Sequence, residues 1–387
     1  MTTTTTREEL IDRARSLAPL FADQAAASER LRRPTDEAMK AVEDAEIFKL
    51  MVPRRYGGLE LDMDTFIEVG LALAEGDASL AWVTSFLIEH NWMFCLFPES
   101  FQKSLYADRS YVLAPGMVSP SGVARPATGG VVLSGRWPFA SGVWHSTWVI
   151  AGAIHINDDG TPDPRFYAIP RNEVTVEDTW HVDGMCGTGS HDVVIEDCFV
   201  PDDRSVSMIA MNRGCAPGAE IHDGPLYRTP MTPLLIATAA MPSLGQASAL
   251  VREYAKRLPT RKRMGNDLSQ AESAPAQIRL ARLSIAAQQA ELLYRDTIRE
   301  LCVLRDRSEA ADRARLQAQL ATVVDQSKRI ISEVCGASGA NAHHLTDSLQ
   351  RSRRDAEVMA CHIAFDLDSA LENTGKAILG LELSPML

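Results

Sequence analysis

The sequence lacks the features by which several large protein classes are recognised. Its seven cysteines are scattered, and no two of them form a Cys-x-x-Cys pair. No Cys/His cluster has the spacing of a zinc site, and the adjacent His343 and His344 do not share a helix face. We therefore expect reduced thiols, as is usual in the cytoplasm, and no bound metal.

Basic residues and long apolar runs are also scarce. The chain has 39 Lys and Arg against 51 Asp and Glu, which gives a formal net charge of −12 at pH 7. Phosphate binding needs a basic face, so we expect no nucleic-acid partner. No apolar run approaches the roughly 20 residues of a membrane helix. The N-terminal MTTTTTREEL lacks the basic and apolar regions of a secretory signal, so we expect a cytoplasmic protein without a membrane partner.

The composition changes twice along the 387 residues. Residues 1–110 carry helical patterns, residues 111–225 carry β-branched and aromatic runs separated by turn clusters, and residues 226–387 are helical again. We predict an N-terminal helical domain, a middle β domain and a C-terminal helical bundle over these ranges. This order favours an α+β fold over a βαβ sheet. The glycine-rich GMCGTGS precedes a strand instead of opening a helix, so it does not predict a nucleotide-binding loop.

Two long amphipathic stripes mark the C-terminal region. Apolar residues recur there every three or four positions, which predicts helices that pack into a bundle or against another subunit. The first stripe comprises Leu283, Ala287, Ala290, Tyr294, Ile298 and Leu301, and the second comprises Leu316, Leu320, Val323, Ile330 and Val334.

The segment GRWPFASGVWHSTW, residues 135–148, has strand composition but is interrupted by Ser141 and Gly142. One interpretation is a β-bulge with a buried, hydrogen-bonded serine. The other is a ligand contact, where the hydroxyl supplies one hydrogen bond and the glycine permits close approach. The residues alone leave both interpretations open.

Three segments resemble the acyl-CoA dehydrogenase superfamily. The segment GRWPFASG resembles the flavin-contacting β segment of that superfamily. The segment DTWHVDGMCGTGSHDVVIEDCFVP resembles its Trp…Gly…Gly-Thr-Gly-Ser…Val-Pro stretch. The segment RRDAEVMACHIAFD resembles its Arg-Asp-Ala helix. The resemblance covers about residues 8 to 385. It implies an acyl-CoA dehydrogenase-like α+β fold with an N-terminal helical domain, a middle β-barrel or sandwich domain and a C-terminal four-helix bundle.

Within that superfamily the chain is most similar to the oxygenase components of two-component flavin-dependent monooxygenases, of the 4-hydroxyphenylacetate, secosteroid-phenol and dibenzothiophene types. EHNW at residues 89–92 resembles their active-site His-Asn-Trp. Ser141 falls where they place a hydroxyl beside the flavin N5, and His362 matches their second histidine. The carboxylate base of the dehydrogenases is missing, because Ile363 occupies its commonest position and TPMTPLLIATAAMPS, where the alternative base falls, contains no Asp or Glu.

The resemblance implies an enzyme that receives reduced FMN or FAD by diffusion from a separate reductase. It would use O₂, through a C4a-hydroperoxide, to hydroxylate a small aromatic molecule such as a phenol or an indole. A homotetramer is implied as well. The alternatives are an acyl-CoA dehydrogenase with a relocated base, an amine N-hydroxylase on the same fold, and a non-catalytic helical scaffold.

The resemblance also assigns roles to single residues. His90 is expected to bind or deprotonate a substrate hydroxyl, Ser141 to hydrogen-bond the flavin N5, and His362 to orient the peroxide. Arg261, in an Arg-x-x-Phe-Gly-like pattern, is expected at the flavin phosphate of a neighbouring subunit, with Arg263 as its rival. The other expected cofactor contacts are Met117, Ser121, Trp137 and Gly142, and the other expected substrate contacts are Trp92 and Phe139. His145 and His181 are expected to be structural or peripheral, whereas His343 and His344 are candidates for the ligand end of the bundle.

Overall fold

The computed structural model describes residues 5–157, 159–262 and 268–383. The N-terminal part is helical, and side chains that accept a backbone N–H cap the first four helices, namely Thr6, Thr35, Asp62 and Asp77. The helices are α1 (Arg7–Leu31), α2 (Asp36–Asp44), α3 (Met63–Ala74), α4 (Ala78–Phe94) and α5 (Glu99–Leu105).

Helix α4 is the central helix of this part, because every one of its residues except Phe86 is buried. Its polar residues are therefore enclosed with the apolar ones. Asn91 ties the helix to the following segment, since its side chain accepts the Val112 N–H over 2.8 Å and donates to the Val112 carbonyl over 2.9 Å. This pair holds the start of the β region against α4.

The middle part forms one seven-stranded sheet with the order β5-β6-β2-β1-β3-β4-β7. β1 and β3 are parallel, and the other neighbouring pairs are antiparallel. β4 contacts β6 although three strands separate them in the hydrogen-bonding order, so the sheet curls around its own apolar core. The strands are β1 (Gly116–Ala127), β2 (Gly130–Ala140), β3 (Trp148–Ile156), β4 (Pro162–Pro170), β5 (Thr175–Glu177), β6 (His191–Pro201) and β7 (Ser205–Ser207).

The C-terminal part is helical again, and α10 packs against α8, α9, α11 and α12. Both amphipathic stripes predicted from the sequence are buried in this packing. The helices are α6 (Met208–Asn212), α7 (Pro217–Ile221), α8 (Met231–Arg257), α9 (Ala274–Leu304), α10 (Ala310–Ala337), α11 (Ser348–Ala360) and α12 (Leu367–Ile378).

Helix α8 joins the two helical parts, since it contacts α3 and α4 as well as α9 and α10. By length and composition α8 is apolar enough to cross a membrane. This differs from the expectation that no part of the sequence would be. Of its most apolar 18-residue window, 89% is buried inside the protein. Its apolar character therefore fits a core helix, and within the described residues no other helix has this composition.

Candidate active site

The interruption predicted at Ser141 and Gly142 lies just after the end of β2, and a β-bulge immediately precedes it. The register of β2 against β6 shifts between Trp137 and Ala140. Phe139 lies in the left-handed region with φ of +68°, and the Ser141 N–H donates to the Phe139 carbonyl over 2.9 Å. Ser141 follows the bulge in the turn after β2, and its side chain is half-buried.

Gly142, which was expected as a cofactor contact, lies close to α4. Its φ is +74°, and a Cβ at this position would lie 2.7 Å from the side chain of Val83 on α4. The glycine therefore allows the bulge to pack closely on α4, which by itself accounts for the residue.

The Ser141 hydroxyl has two protein partners. Its Oγ lies 2.7 Å from the Ser190 Oγ, and it accepts the indole N–H of Trp82 over 3.3 Å. A hydroxyl has one proton and two lone pairs, so two bonds leave room for one more. The structure thus joins the bulge to α4 through Trp82 and to the GMCGTGS loop through Ser190.

An aromatic row extends along one face of α4. Trp82, Phe86 and His90 are spaced four residues apart, and their ring centroids are separated by 4.9 Å and 5.5 Å. The Trp82 ring also lies 5.7 Å from the ring of His362. Through this row the structure brings Ser141, His90 and His362 into one cluster.

Sequence reasoning missed Trp82 and Phe86, although both precede His90 at helical spacing in an already predicted helix. That spacing was the available signal. Trp82 is the more informative omission, because it contacts both Ser141 and His362.

The His90 ring is neutral and can accept a hydrogen bond at Nε2. Its Nδ1 lies 2.7 Å from the carbonyl of Ala114, which can only accept, so Nδ1 carries the proton. Burial lowers the pKa of His90 to about 4. The imidazole is therefore neutral near pH 7 with a lone pair on Nε2, and within the described residues no hydrogen bond to Nε2 is formed.

Glu89 lies directly beside His90 and was not predicted. Its side chain is fully buried, and its Oε2 lies 3.5 Å from the His90 Nε2 without forming a hydrogen bond. Neither carboxyl oxygen has a hydrogen-bond partner among the described residues. Burial raises the pKa of Glu89 well above its ordinary value, which favours the protonated form of the carboxyl.

His362 does not lie on the Arg-Asp-Ala helix as expected. Helix α11 ends at Ala360, and His362 precedes a short 3₁₀ turn at Ile363–Phe365. Its Nδ1 accepts the Ala364 N–H over 3.2 Å, and desolvation lowers the pKa of the ring although part of the side chain is exposed. The neutral ring therefore carries its proton on Nε2 and presents a donor there, opposite to His90.

Three of the side chains expected at the cofactor or the substrate are buried in the protein core. Trp137 is fully buried in the sheet core with its indole N–H donated to Gly152 over 2.7 Å, and Met117 packs in the same core. Trp92 is also fully buried and donates to the Leu226 carbonyl over 3.0 Å. Two positions along a helix turn a side chain by about 200°, so Trp92 faces away from the row that contains His90.

Other expected contacts lie nearer the surface. Phe139 is 67% exposed on the bulge beside Ser141, with its ring edge-on to Trp180 at 6.1 Å. Ser121 is exposed on β1 and donates to the Arg136 carbonyl over 3.2 Å.

Arg261, one of the two arginines expected at a flavin phosphate, is not part of the Ser141 cluster. Arg261 is half-buried, and its guanidinium lies beside Gly339 in the turn after α10. Arg263 lies outside the described residues.

The four other histidines singled out in the sequence are peripheral to the cluster. His145 lies 2.9 Å from the Asp36 carboxylate, and His181 is exposed near Asp178. His343 and His344 are exposed in the turn after α10.

The loop that carries Ser190 is anchored by a buried carboxyl. The Met185 N–H donates to Asp355 of the Arg-Asp-Ala segment over 2.5 Å. Burial, together with the nearby Asp77 carboxyl, raises the pKa of Asp355 to about 7. Asp355 thus fixes the GMCGTGS loop to α11.

A partly open cavity of about 210 Å³ lies elsewhere in the sheet, lined in part by His155, Arg165 and Asp202. It is smaller than the roughly 300 Å³ of ordinary ligand pockets, and no residue of the Ser141 cluster lines it. The candidate active site is therefore the cluster at the bulge and not this cavity.

Comparison with known proteins identifies relatives over the whole chain. Residues 237–367 match the family of the acyl-CoA dehydrogenase C-terminal domain. The chain is 30% identical over 378 residues to HsaA of Rhodococcus jostii, the oxygenase subunit of a flavin-dependent monooxygenase, with 97% of this chain and 99% of HsaA covered. It is 29% identical over 395 residues to the oxygenase component of an FADH₂-dependent resorcinol hydroxylase of Rhizobium sp., with 96% and 94% covered. XiaF from Streptomyces sp., solved with FADH₂ and glycerol, superposes with a TM-score of 0.88 at 27% identity, with 97% and 96% covered.

Proposed function

This chain belongs to the oxygenase components of two-component flavin-dependent monooxygenases, and we propose that it inserts one atom of O₂ into a small aromatic substrate. The fold is acyl-CoA dehydrogenase-like. Membership of this family makes the chain an enzyme and decides against the dehydrogenase and scaffold alternatives. The observation that carries the proposal is the contact of Ser141, Trp82 and His362 at the β-bulge.

The residues at the bulge fit a reduced flavin. The ring of a reduced flavin is flat and largely apolar, and its N5 carries a hydrogen that needs an acceptor. Ser141 has a spare lone pair, and Phe139 offers an exposed aromatic face beside it. Reduced FAD or FMN, when bound, supplies the two electrons with which O₂ is activated. Ser141 would hold the N5 edge, and Arg261 the phosphate of a flavin in a neighbouring subunit.

The Nε2 atoms of the two histidines have complementary hydrogen-bonding roles. His362 presents an N–H at Nε2, which suits a hydrogen bond to oxygen that carries developing negative charge. His90 presents a lone pair at Nε2, which suits acceptance of a hydrogen bond from a phenolic hydroxyl, whereas its low pKa disfavours full transfer of the proton. The opposite tautomers support a donor role for His362 at the oxygen and an acceptor role for His90 at the substrate.

Two observations support an aromatic substrate. Trp82 and Phe86 offer flat apolar surfaces between the two histidines, which suits an aromatic ring better than an open-chain amine. In addition, a relative of similar length is a resorcinol hydroxylase. Both favour a phenol or a similar electron-rich ring.

The assembly and location belong to the same proposal. On α9 the exposed residues Ile278, Ile285 and Leu292 are seven positions apart and 68%, 56% and 61% exposed, which supports burial against a second copy in a homotetramer. The acidic composition and the absence of cysteine pairs support a cytoplasmic location, with flavin received by diffusion from a reductase. Residues 1–110, 111–225 and 226–387 are proposed as the N-terminal helical, middle β and C-terminal bundle domains.

The experiment that tests the function supplies chemically reduced flavin and isotopically labelled O₂ to the purified protein with separate panels of phenols, indoles and amines. We expect one labelled oxygen atom in a ring-hydroxylated product, detected by mass spectrometry. Labelled products only from amines would overturn the aromatic substrate class, and hydrogen peroxide alone from every panel would overturn the proposal.

A further inference from the structure

Three hydroxyl groups form a continuous buried chain behind the bulge. The Ser141 Oγ lies 2.7 Å from the Ser190 Oγ, and the Ser190 Oγ lies 2.7 Å from the Thr188 Oγ1. Thr188 in turn donates to the carbonyl of Met185 over 2.8 Å. Thr188 is 1% and Ser190 4% exposed, so water has little access to either hydroxyl.

Counting protons fixes the direction of this chain. The Met185 carbonyl has no proton to give, so the single proton of Thr188 points to it. Thr188 must then accept from Ser190, and Ser190, with its proton used, must accept from Ser141. The proton of Ser141 is therefore directed inward, and its Oγ faces outward as an acceptor only.

The carbonyl that sets this direction is itself held in place. It also accepts the backbone N–H of Thr188 over 3.1 Å and the indole N–H of Trp180 over 3.0 Å. The Met185 N–H is bound to Asp355. Reversal of the chain would turn a lone pair of Thr188 towards the Met185 carbonyl at 2.8 Å, which is unfavourable in a buried position.

We propose that Thr188 and Ser190 are positioning residues that hold Ser141 as a hydrogen-bond acceptor, so that the site selects reduced over oxidised flavin. The inference rests on the proposed function, in which Ser141 contacts the flavin N5. Reduced flavin carries a hydrogen on N5 and can donate to Ser141. Oxidised flavin has a lone pair there, which would face the lone pair of Ser141 without a proton between them. The chain thus favours capture of the reduced flavin and release of the spent, oxidised one.

The test is the ratio of the dissociation constants of oxidised and reduced FAD, measured by anaerobic and aerobic titration of the full-length protein. Thr188→Val leaves Ser190 without its acceptor, so Ser190 can donate to Ser141, and Ser190→Ala removes the inward acceptor of Ser141. Both free the Ser141 proton to point outward. We expect the ratio to fall about ten-fold in each variant, mainly because oxidised FAD binds more tightly.

Two further variants serve as controls. Thr188→Ser keeps the hydroxyl and should keep the wild-type ratio. Ser146→Ala should also leave it unchanged, because the Ser146 hydroxyl donates to the Gly142 carbonyl over 3.0 Å in the same loop but is not in the chain. Thermal unfolding of each variant checks that it folds, and having two independent variants keeps the test decisive if one of them does not.

The outcomes separate this inference from the proposed function. If the wild-type protein binds reduced FAD but both Thr188→Val and Ser190→Ala keep the wild-type ratio, the orienting role is overturned and the proposed function stands. If the variants bind oxidised and reduced FAD more weakly by the same factor, the orienting role is overturned too, since a merely structural role predicts that result. If the wild-type protein binds neither form, the proposed function and this inference both fail.

Discussion

The indole N–H of Trp82 on α4 donates a hydrogen bond to the hydroxyl of Ser141 on the β-bulge, over 3.3 Å. The same indole packs against His362, which follows α11. One side chain thus connects a hydroxyl from the sheet with an imidazole from the C-terminal helices. The positions of two proposed catalytic groups therefore depend on the packing of a single residue of the N-terminal helices.

Replacing Ser141 by Ala should weaken the binding of reduced flavin roughly five-fold, the effect of about 1 kcal/mol for one lost hydrogen bond. It should also lower the hydroxylated product formed per flavin oxidised, with a matching rise in hydrogen peroxide. Anaerobic titration and product analysis measure the two effects. Ser146→Ala is the matched control, and equal binding and yield in both variants would remove Ser141 from the site.

Titration of His90 and His362 should not change the product yield between about pH 7 and 8.5. Burial lowers the pKa of His90 to about 4, and desolvation lowers that of His362 below its ordinary value of about 6.5, so both rings are neutral over this range. The yield should fall only at acidic pH, where His362 and then, near pH 4, His90 gain a proton. An inflection between pH 7 and 8 that disappears in His362→Asn would contradict this account.

Replacing Glu89 by Gln should stabilise the protein at alkaline pH. The unfolded chain ionises Glu89 above about pH 4.3, whereas burial keeps the folded carboxyl protonated, so its contribution to stability falls as the pH rises. We expect the Tm of Glu89→Gln to exceed that of the wild type by a few degrees at pH 8, with the difference vanishing near pH 4.5. The exposed Glu357→Gln should show no such trend. A lower Tm for Glu89→Gln at pH 8 would indicate that the carboxyl is ionised in the folded state.

Placing a charge on the exposed stripe of α9 should break the proposed tetramer. Ile285→Asp and Leu292→Asp introduce charges on a face that a second copy would bury. Light scattering after size-exclusion chromatography should show a smaller species for each. Val123→Asp, at a 60% exposed position on β1, is the control and should keep the wild-type mass. If the wild-type protein is itself monomeric, the tetramer is wrong.

A serine and a glycine that interrupt a strand pattern made a bulge one of two interpretations of the sequence, but neither interpretation indicated which side chains face outward. Trp137 and Phe139 are two residues apart and would share a face in a regular strand. The positive φ of Phe139 breaks this alternation, so Phe139 is exposed while Trp137 lies in the core. The orientation depends on a backbone angle that composition does not reveal.

The histidines were identifiable from short motifs, whereas the hydroxyl chain was not. Ser141 and Ser190 are 49 residues apart, and their contact depends on the pairing of β2 with β6. The tautomers of His90 and His362 depend on single backbone partners, Ala114 and Ala364. Such details follow from tertiary contacts, which one sequence does not show.

The most direct test of the central claim is stopped-flow mixing of the protein, pre-equilibrated with chemically reduced FAD, with oxygenated buffer. The visible absorption of oxidised flavin should appear only after a delay that free reduced FAD does not show. The delay should shorten in Ser141→Ala. Oxidation at the rate of free FAD, unchanged by the protein, would contradict an oxygenase site at the Ser141 bulge.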